Sequence, residues 1–405
     1  VVTYTGTGSV QNISHNLGSV PGCIIIKCTS NARLWAVYHR GHNGGTDPED
    51  YFARLNGSGY GVVNDNTYWN DTAPTDSVFT VGTKTNVNAS GDTFVAYIFA
   101  HNNNDGEFGP DSDADIIKCG SYTGNNNTPG ALVDLGFEPQ AVFIVSNSSG
   151  ASTKNVIFDS MRGTITGGND SYLSADLTNA EASDGNYMEF DSTGFRPSLN
   201  GQNYTNGSNI VYSYIAIRRG TKVPESATEV FDIDTGTGTI PTYVSGFPVD
   251  MSINRQPSAS TDNRTGARLT GNNRLVTNST VAQTSDTAFV YDYMDGWSES
   301  YANSSHYSWM WKRAPKFFDV VAYTGNGTAN QTFSHNLTVK PDMVWIKNRS
   351  RSQDWWVSLD DSIVNLDGIL NDNGDFGYNK IGTFTDTTVQ TLNTNQYATN
   401  YNGDK

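Results

Sequence analysis

Two distant stretches of this 405-residue chain share most of their residues. Residues 1–27 read VVTYTGTGSVQNISHNLGSVPGCIIIK, and residues 320–347 read VVAYTGNGTANQTFSHNLTVKPDMVWIK. Similarity at so long a spacing indicates a duplicated folding unit. The chain is therefore expected to fold as an array of like modules, and its function has to be sought in that array.

Two further copies are more diverged. One opens at Ser121 with SYTGNNNTPGALVDLGFEPQAVFIV, and a weaker one opens at Phe231 with FDIDTGTGTIPTYVSGFPVDMSINR. Three copies end in an apolar closing segment, at residues 94–100, 211–219 and 306–313. The last copy stops at a turn that matches residues 88–92, so we expect its closing strand to be absent. We expect either residues after Lys405 or a neighbouring subunit to supply that strand, because an unpaired sheet edge is a liability.

The apolar runs in each copy are short, β-branched or aromatic, and bounded by Gly, Asn, Asp, Ser or Pro. This pattern is typical of strands and turns. The runs at 24–26 and 343–346 predict strands covered on both faces, whereas alternation at 93–100 predicts one solvated face. The expected fold class is all-β, with tandem β-sandwiches of jelly-roll or lectin-like type and a last copy that lacks its closing strand. The predicted sandwiches span 1–102, 121–222, 223–315 and 316–405, with an acidic linker at 103–120.

Composition restricts the partners. Charged residues make up 16% of the chain, and the net charge is -16. Binding to nucleic acid or to an anionic membrane needs clustered Lys and Arg, so we expect neither partner. No segment is apolar over the length that crosses a bilayer. Cys23 and Cys28 lie on opposite faces of one predicted strand, so we expect free thiols, with Cys23 and Cys119 buried.

Three motifs of the last copy, FFDVVAYTGNG at 317–327, SHNL at 334–337 and KPDMVWIK at 340–347, lie in register with one another. Together they resemble a repeated module of uncharacterised tail-fibre-like virion proteins of marine tailed bacteriophages. Residues 159–163 and 94–100 share the resemblance, which covers nearly the whole chain. It implies a structural protein located in the virion, a fibre or other appendage with lectin-like sandwiches, and it supplies no catalytic residues.

His15 and His335 occupy the same place in two copies, and each follows a serine. A hydroxyl beside an imidazole would suit a nucleophile and its base. Adjacent residues of a strand point to opposite faces, however, so the two groups would point apart. We expect a turn or packing role for these histidines, no catalytic residue, and a protein that is not an enzyme.

The segment between the first and second copies is acidic. Residues 111–115 begin like a calcium loop, because alternating oxygen ligands suit that ion. The mid-loop glycine and the closing glutamate are then missing. The favoured interpretation is a solvated linker with no cofactor. The alternative is calcium held by four carboxylates, those of Asp105, Asp111, Asp113 and Asp115.

Aromatic residues follow the central apolar strand in the first and last copies. Aromatic faces beside amide and carboxylate groups can hold a sugar ring, so a saccharide site is predicted here. The residues concerned are Trp35, His39, Trp355 and Trp356. The alternative is that Trp35 and one of the tandem pair are core residues. Alternation predicts that the other member of the pair faces solvent.

The leading hypothesis is a non-enzymatic phage appendage protein, multimeric in the particle, that contacts a glycan or protein on the host surface. The second hypothesis is a capsid or tail decoration protein that binds other virion proteins. The third is a polysaccharide depolymerase, although no carboxylate pair stands out at glycosidase spacing. Under the leading hypothesis each glycan site is weak, and strength comes from several copies acting together.

Overall fold

The computed structural model describes the whole chain except residues 57–60, 110–111, 149–153, 165, 199–202, 221, 361–366, 375–376, 378–381 and 392–401. Its sheets are antiparallel throughout the described part, which confirms the predicted all-β class. The chain divides into two compact units, Val1–Arg162 with Asn169–Gly220, and Gly163–Gly168 with Thr221–Lys405. Each unit contains two of the four sandwiches. No helix in the described part is long and apolar enough to span a membrane.

The first sandwich pairs a six-stranded sheet with a two-stranded one. Its strands are β1 (Val2–Thr5), β2 (Gln11–Ser14), β3 (Cys23–Cys28), β4 (Ala36–His39), β5 (Tyr51–Arg54), β6 (Val63–Asn64), β7 (Val78–Val81) and β8 (Thr93–Phe99). The large sheet has the order β1-β8-β3-β4-β5-β6, and β2 pairs with β7. A single helical turn, α1 (Thr85–Asn88), precedes the closing strand β8, and 3₁₀ turns lie at His42–Gly45 and Pro48–Asp50.

The second sandwich repeats this arrangement. Its strands are β9 (Ile117–Thr123), β10 (Val133–Asp134), β11 (Pro139–Ser146), β12 (Val156–Asp159), β13 (Leu173–Ser174), β14 (Met188–Asp191), β15 (Gly194–Pro197) and β16 (Val211–Arg218). The sheet orders are β13-β12-β11-β16-β9 and β10-β15-β14. The first strand thus starts at Ile117, inside the range that the sequence assigned to a linker.

The third sandwich keeps the same order of strands. They are β17 (Phe231–Thr235), β18 (Tyr243–Val244), β19 (Met251–Arg255), β20 (Arg264–Ala267), β21 (Asn273–Val276), β22 (Thr284–Ser285), β23 (Phe289–Val290), β24 (Gly296–Glu299) and β25 (Tyr307–Trp311), with 3₁₀ turns at Ala227–Glu229 and Arg268–Thr270. Its sheets are β17-β25-β19-β20-β21-β22 and β18-β24-β23. In all three sandwiches the closing strand therefore lies between the first strand and the apolar third strand.

The fourth sandwich is shorter. Its strands are β26 (Gln331–Ser334), β27 (Met343–Lys347), β28 (Trp355–Leu359), β29 (Gly368–Ile369), β30 (Gly382–Phe384) and β31 (Thr388–Thr391). The sheets are β27-β28-β29 and β26-β31-β30. No closing strand is present among the described residues, in agreement with the sequence.

In at least three sandwiches, the residue that follows the first strand has to be glycine. The turn before the closing strand packs closely against it. A Cβ on Gly6 would lie 2.2 Å from the carbonyl oxygen of Ala89, in the turn before β8. Gly124 and Gly236 face the turn before their own closing strands at similar distances. The turn cannot approach the first strand unless this residue is glycine.

Replacement of Gly6 by alanine should therefore destabilise the first sandwich by about 1–3 kcal/mol, the usual cost of overpacking. A matched control is Gly220→Ala, because a Cβ at Gly220 would have no neighbour within 4 Å. The control should change stability by less than about 0.5 kcal/mol. Urea unfolding of the two variants checks this, and equal midpoints would contradict the assignment.

Strand β3 is buried on both faces, as its continuous apolar run predicts. One face joins the core between the two sheets of its own sandwich, where Ile24 and Ile26 lie. The other face carries Cys23, which packs with Cys119 and Val145 of the second sandwich. The two large sheets of this unit are therefore packed outer face to outer face.

All three cysteines are free and buried. Cys23 lies in the contact between sandwiches and Cys28 in the core of the first sandwich, which confirms that they occupy opposite faces. Burial raises the pKa of the Cys119 thiol to about 12. The thiolate that would react as a nucleophile is thus strongly disfavoured at this cysteine.

Candidate functional site

The candidate site is a pair of aromatic rings on the outer face of the first sandwich. Trp35 immediately precedes β4, and Tyr97 lies on β8 opposite Ile25. Strand alternation points Tyr97 outward, because its neighbour Ala96 is fully buried in the core. The two rings are 6.3 Å apart and inclined by 24°. We call Trp35 and Tyr97 the aromatic pair.

The aromatic pair is held by its surroundings and is accessible to solvent. The Trp35 backbone N–H donates to the side-chain oxygen of Asn56, at 2.8 Å. The Lys27 ammonium lies 5.7 Å from the centroid of the Trp35 ring and donates to the Arg33 carbonyl. Tyr97 is 38% exposed and Trp35 is partly exposed. The arrangement presents two nearly parallel ring surfaces beside a cationic hydrogen-bond donor.

The equivalent position in the fourth sandwich is occupied by Trp355. Trp355 lies opposite Lys347 in the β27–β28 pair and thus on the outer face, as Trp35 lies beside Lys27. Its indole N–H donates to the carbonyl oxygen of Val276 in the third sandwich, at 2.8 Å, and the side chain is 6% exposed. This tryptophan is therefore used to join two sandwiches of one unit.

Three of the four residues predicted to contact a saccharide are buried. Trp356 points into the core of the fourth sandwich with Ile346 and is 6% exposed. Because Trp355 is also covered, the prediction that one member of the tandem pair faces solvent is wrong. His39 is 1% exposed and lies where the first and second sandwiches meet. Of the four, only Trp35 is accessible to a ligand.

His15 and His335 have the same structural role. In each, Nδ1 accepts the backbone N–H of the leucine two residues later, Leu17 or Leu337. Nε2 then carries the proton and donates to a carbonyl oxygen, that of Thr75 at 3.2 Å or its counterpart in the fourth sandwich at 3.1 Å. Both imidazoles stabilise a turn by hydrogen bonding, which agrees with the turn role predicted from the sequence.

The acidic segment is organised around one buried carboxylate. Asp115 is 7% exposed and accepts the backbone N–H groups of Asn104 and Gly106 at 2.8 and 2.9 Å. Asp105 accepts an N–H within its own turn, and Asp111 lies outside the described residues. In the described part of the chain no three His, Cys, Asp or Glu side chains are grouped to hold a metal ion.

Sequence reasoning missed Tyr97 and Lys27 as members of the site. The signal for Tyr97 was present, because alternation in β8 puts it on the face opposite to Phe94 and Ala96. The signal for Lys27 was its recurrence as Lys347 at the end of the same strand. Neither signal indicated contact with a tryptophan that follows the next turn.

Comparison with known families gives one match. A family model described as a domain of unknown function, DUF7483, matches residues 1–219 and 235–404. The chain belongs to the DUF7483 family. The first matched stretch falls almost wholly in one compact unit and the second in the other. No curated protein and no solved structure matches the chain.

Proposed function

We propose that this DUF7483 protein is a non-enzymatic structural protein of a bacteriophage particle, an appendage whose sandwiches contact the host surface. The phage assignment rests on the resemblance of its motifs to a tail-fibre-like module. Four sandwiches in series, three of which share one strand order, suit a spacer array, in which each module is stable through its own core and its nearest neighbour. Multimers of such an appendage would present several contacts at once.

The observation that carries the adhesive part of the proposal is the aromatic pair. A ring surface with polar groups beside it binds the apolar face of a pyranose, while hydroxyls are bonded by neighbouring donors. Trp35 and Tyr97 supply the rings, and Lys27 supplies a donor at the edge. The proposed ligand is a neutral or weakly anionic surface polysaccharide, since a cationic partner would be repelled by Lys27.

The test compares Trp35→Ala and Tyr97→Ala with Tyr307→Ala. Tyr307 is a matched control, because it is 42% exposed and belongs to the closing strand of the third sandwich. Loss of one stacking ring should weaken glycan binding by about 1 kcal/mol, or roughly fivefold in Kd. Multivalency should enlarge the loss in adsorption of whole particles to host cells. Equal adsorption of all three variants would refute the proposal.

A second candidate function is decoration of the particle by contact with other virion proteins. The observation that favours it concerns Trp355, the counterpart of Trp35. The indole N–H of Trp355 donates a hydrogen bond to the carbonyl oxygen of Val276, on a strand of the neighbouring sandwich. Trp35 would then receive a similar strand from another protein. Under this alternative the unmodified protein should not bind host polysaccharide detectably, and Trp35→Ala should release it from purified capsids or tails.

A further inference from the structure

A basic side chain without a counter-charge lies beside the aromatic pair. Lys27 is the fifth residue of β3 and is half-buried, and its ammonium lies 5.7 Å from the centroid of the Trp35 ring. An ammonium group has three N–H donors. Within the described part of the chain Lys27 donates one hydrogen bond, to the Arg33 carbonyl. Two donors are therefore left for a ligand at the edge of the rings.

Lys27 has no carboxylate partner in a chain that is rich in carboxylates. Asp and Glu number 41, against 25 Lys and Arg. Neighbouring cations of the first sandwich are paired: Arg33 with Asp92 at 2.6 Å, and Lys84 with Asp65 at 2.8 Å. No carboxylate of the described residues forms such a pair with Lys27. An acidic group of a ligand would therefore meet this cation without displacing a carboxylate of the protein.

The counterpart of this lysine in the fourth sandwich is used inside the protein. Lys347 is the fifth residue of β27. Its ammonium donates to the carbonyl oxygens of Thr280, Asn348 and Arg351, at 3.2, 2.8 and 3.3 Å. All three donors are thus used, one of them to the third sandwich. The two lysines differ as the two tryptophans do, because one lysine joins two sandwiches and the other lies at an accessible surface.

We propose that Lys27 makes the aromatic pair selective for glycans that carry an acidic substituent, a carboxylate, sulfate or phosphate, on the sugar that stacks there. This inference rests on the proposed glycan contact and specifies its ligand. Substituents surround the rim of a pyranose, so a group at the edge of the stacking surface is placed to meet one of them. A hydrogen bond from an ammonium to an anionic oxygen is stronger than one to a hydroxyl. A lysine acts as a point charge, so all three acidic groups suit it.

The charge of the whole chain limits the number of acidic groups on the ligand. A polymer with an acid on every sugar would be repelled by the net charge of -16. A single acidic group at Lys27 meets the local positive charge, because interactions beyond about 8 Å are screened at physiological ionic strength. The proposed ligand therefore has acidic sugars separated by neutral ones.

An array of oligosaccharides in matched pairs is the probe. Each uronic-acid glycan is placed beside its carboxyl-reduced form, and each sulfated or phosphorylated glycan beside the form without that group. We expect the full chain to bind the acidic member of at least one kind of pair about three- to fivefold more tightly, as a surface ion pair allows. The kind of pair then identifies the acidic group. The preference should shrink when NaCl is raised from about 0.05 M to about 0.5 M.

Two variants of Lys27 and one control test the assignment to this residue. Lys27→Met should bind both members of each pair equally, and Lys27→Arg should retain the preference because it keeps the charge. The control is Arg255→Gln. Arg255 is the exposed fifth residue of β19 and bonds Asn263, which stands where the first sandwich has its tryptophan. The control removes the same charge from the chain and should leave the preference unchanged.

The outcomes separate the selectivity from the glycan contact itself. A preference that survives in Lys27→Met, or equal binding of both members of every pair by the unmodified chain, would overturn the selectivity. In the second case, loss of that binding in Trp35→Ala would still support the glycan contact. Loss of both members in Lys27→Met would make Lys27 a positioning residue for Trp35 and would also overturn the selectivity. If the unmodified chain bound no glycan, both proposals would fail.

Discussion

Replacement of Trp297 by alanine should destabilise the third sandwich by about 3–5 kcal/mol. The indole is fully buried and lies between the rings of Tyr243 and Tyr291, whose centroids are 5.2 and 5.3 Å away. Its N–H donates to the hydroxyl of Ser308 on the closing strand, at 2.9 Å. Truncation would leave a large cavity and an unsatisfied hydroxyl, and domain stabilities are only 5–15 kcal/mol in general.

Trp309→Ala is the matched control for this prediction. Trp309 lies on the same closing strand, one residue beyond Ser308, and therefore on the outer face, where it is partly exposed. Its loss should cost about 1 kcal/mol. Urea unfolding followed by tryptophan fluorescence and by amide exchange in β24 would compare the two variants. Similar losses would show that the core of this sandwich does not depend on Trp297.

The positions of the repeated strands and the absent closing strand could be predicted from the sequence because they depend on local signals. Turn glycines such as Gly6 and Gly91 recur as Gly325 and Gly403, and the proline-led third strand keeps its distance from them. These signals fix where each strand begins and ends. The weak copy at Phe231 was recognisable for the same reason, although its interior is quite different.

The covering of each outer face could not be predicted, because it depends on contacts between sandwiches. The runs at 24–26 and 343–346 look alike, yet Cys23 is 1% exposed and Met343 is 51% exposed. The difference arises from Val145 and other residues of the second sandwich, which pack against β3. Periodicity describes the residues of one strand and carries no information on what lies against it.

For the predicted saccharide site too, burial by a neighbouring sandwich could not be predicted from the sequence. Alternation correctly predicts that the tandem tryptophans lie on opposite faces, and the structure places Trp355 on the outer face and Trp356 in the core. The outer position was expected to be exposed, but Val276, 79 residues earlier, covers it. Trp35, which lacks such a cover among the described residues, stays accessible. One sequence position is therefore a packing residue in one sandwich and a candidate ligand contact in another.

Acid should loosen the unit formed by the first two sandwiches, because two buried histidines join them. Nε2 of His39 donates to the Tyr214 carbonyl at 2.9 Å, and its Nδ1 accepts the Gly41 N–H. His42 lies 3.2 Å from the hydroxyl of Ser213. Burial lowers the pKa of His42 to about 4, and burial, followed by the nearby His42, lowers the pKa of His39 well below its usual value. Both rings are neutral when the unit is folded.

The sign of the pH effect follows from these depressed pKa values. As pH falls below about 6.5, the unfolded chain binds protons that the folded unit rejects, so the free energy of unfolding decreases until the pH reaches the folded pKa. Between pH 7 and pH 5 the loss from His42 alone should be about 2 kcal/mol, with a loss of the same sign from His39. Above about pH 7 neither histidine should contribute any pH dependence.

Urea unfolding of the full chain at pH 7 and pH 5 measures this loss, and the variant His39→Gln/His42→Gln provides the comparison. Glutamine keeps a hydrogen-bonding side chain of similar size but cannot be protonated in this range, so its unfolding free energy should change much less with pH. Some dependence should remain, because burial also lowers the pKa of His101 to about 4. An unaltered pH profile in the double variant would show that the joint between the sandwiches does not respond to acid through these two imidazoles.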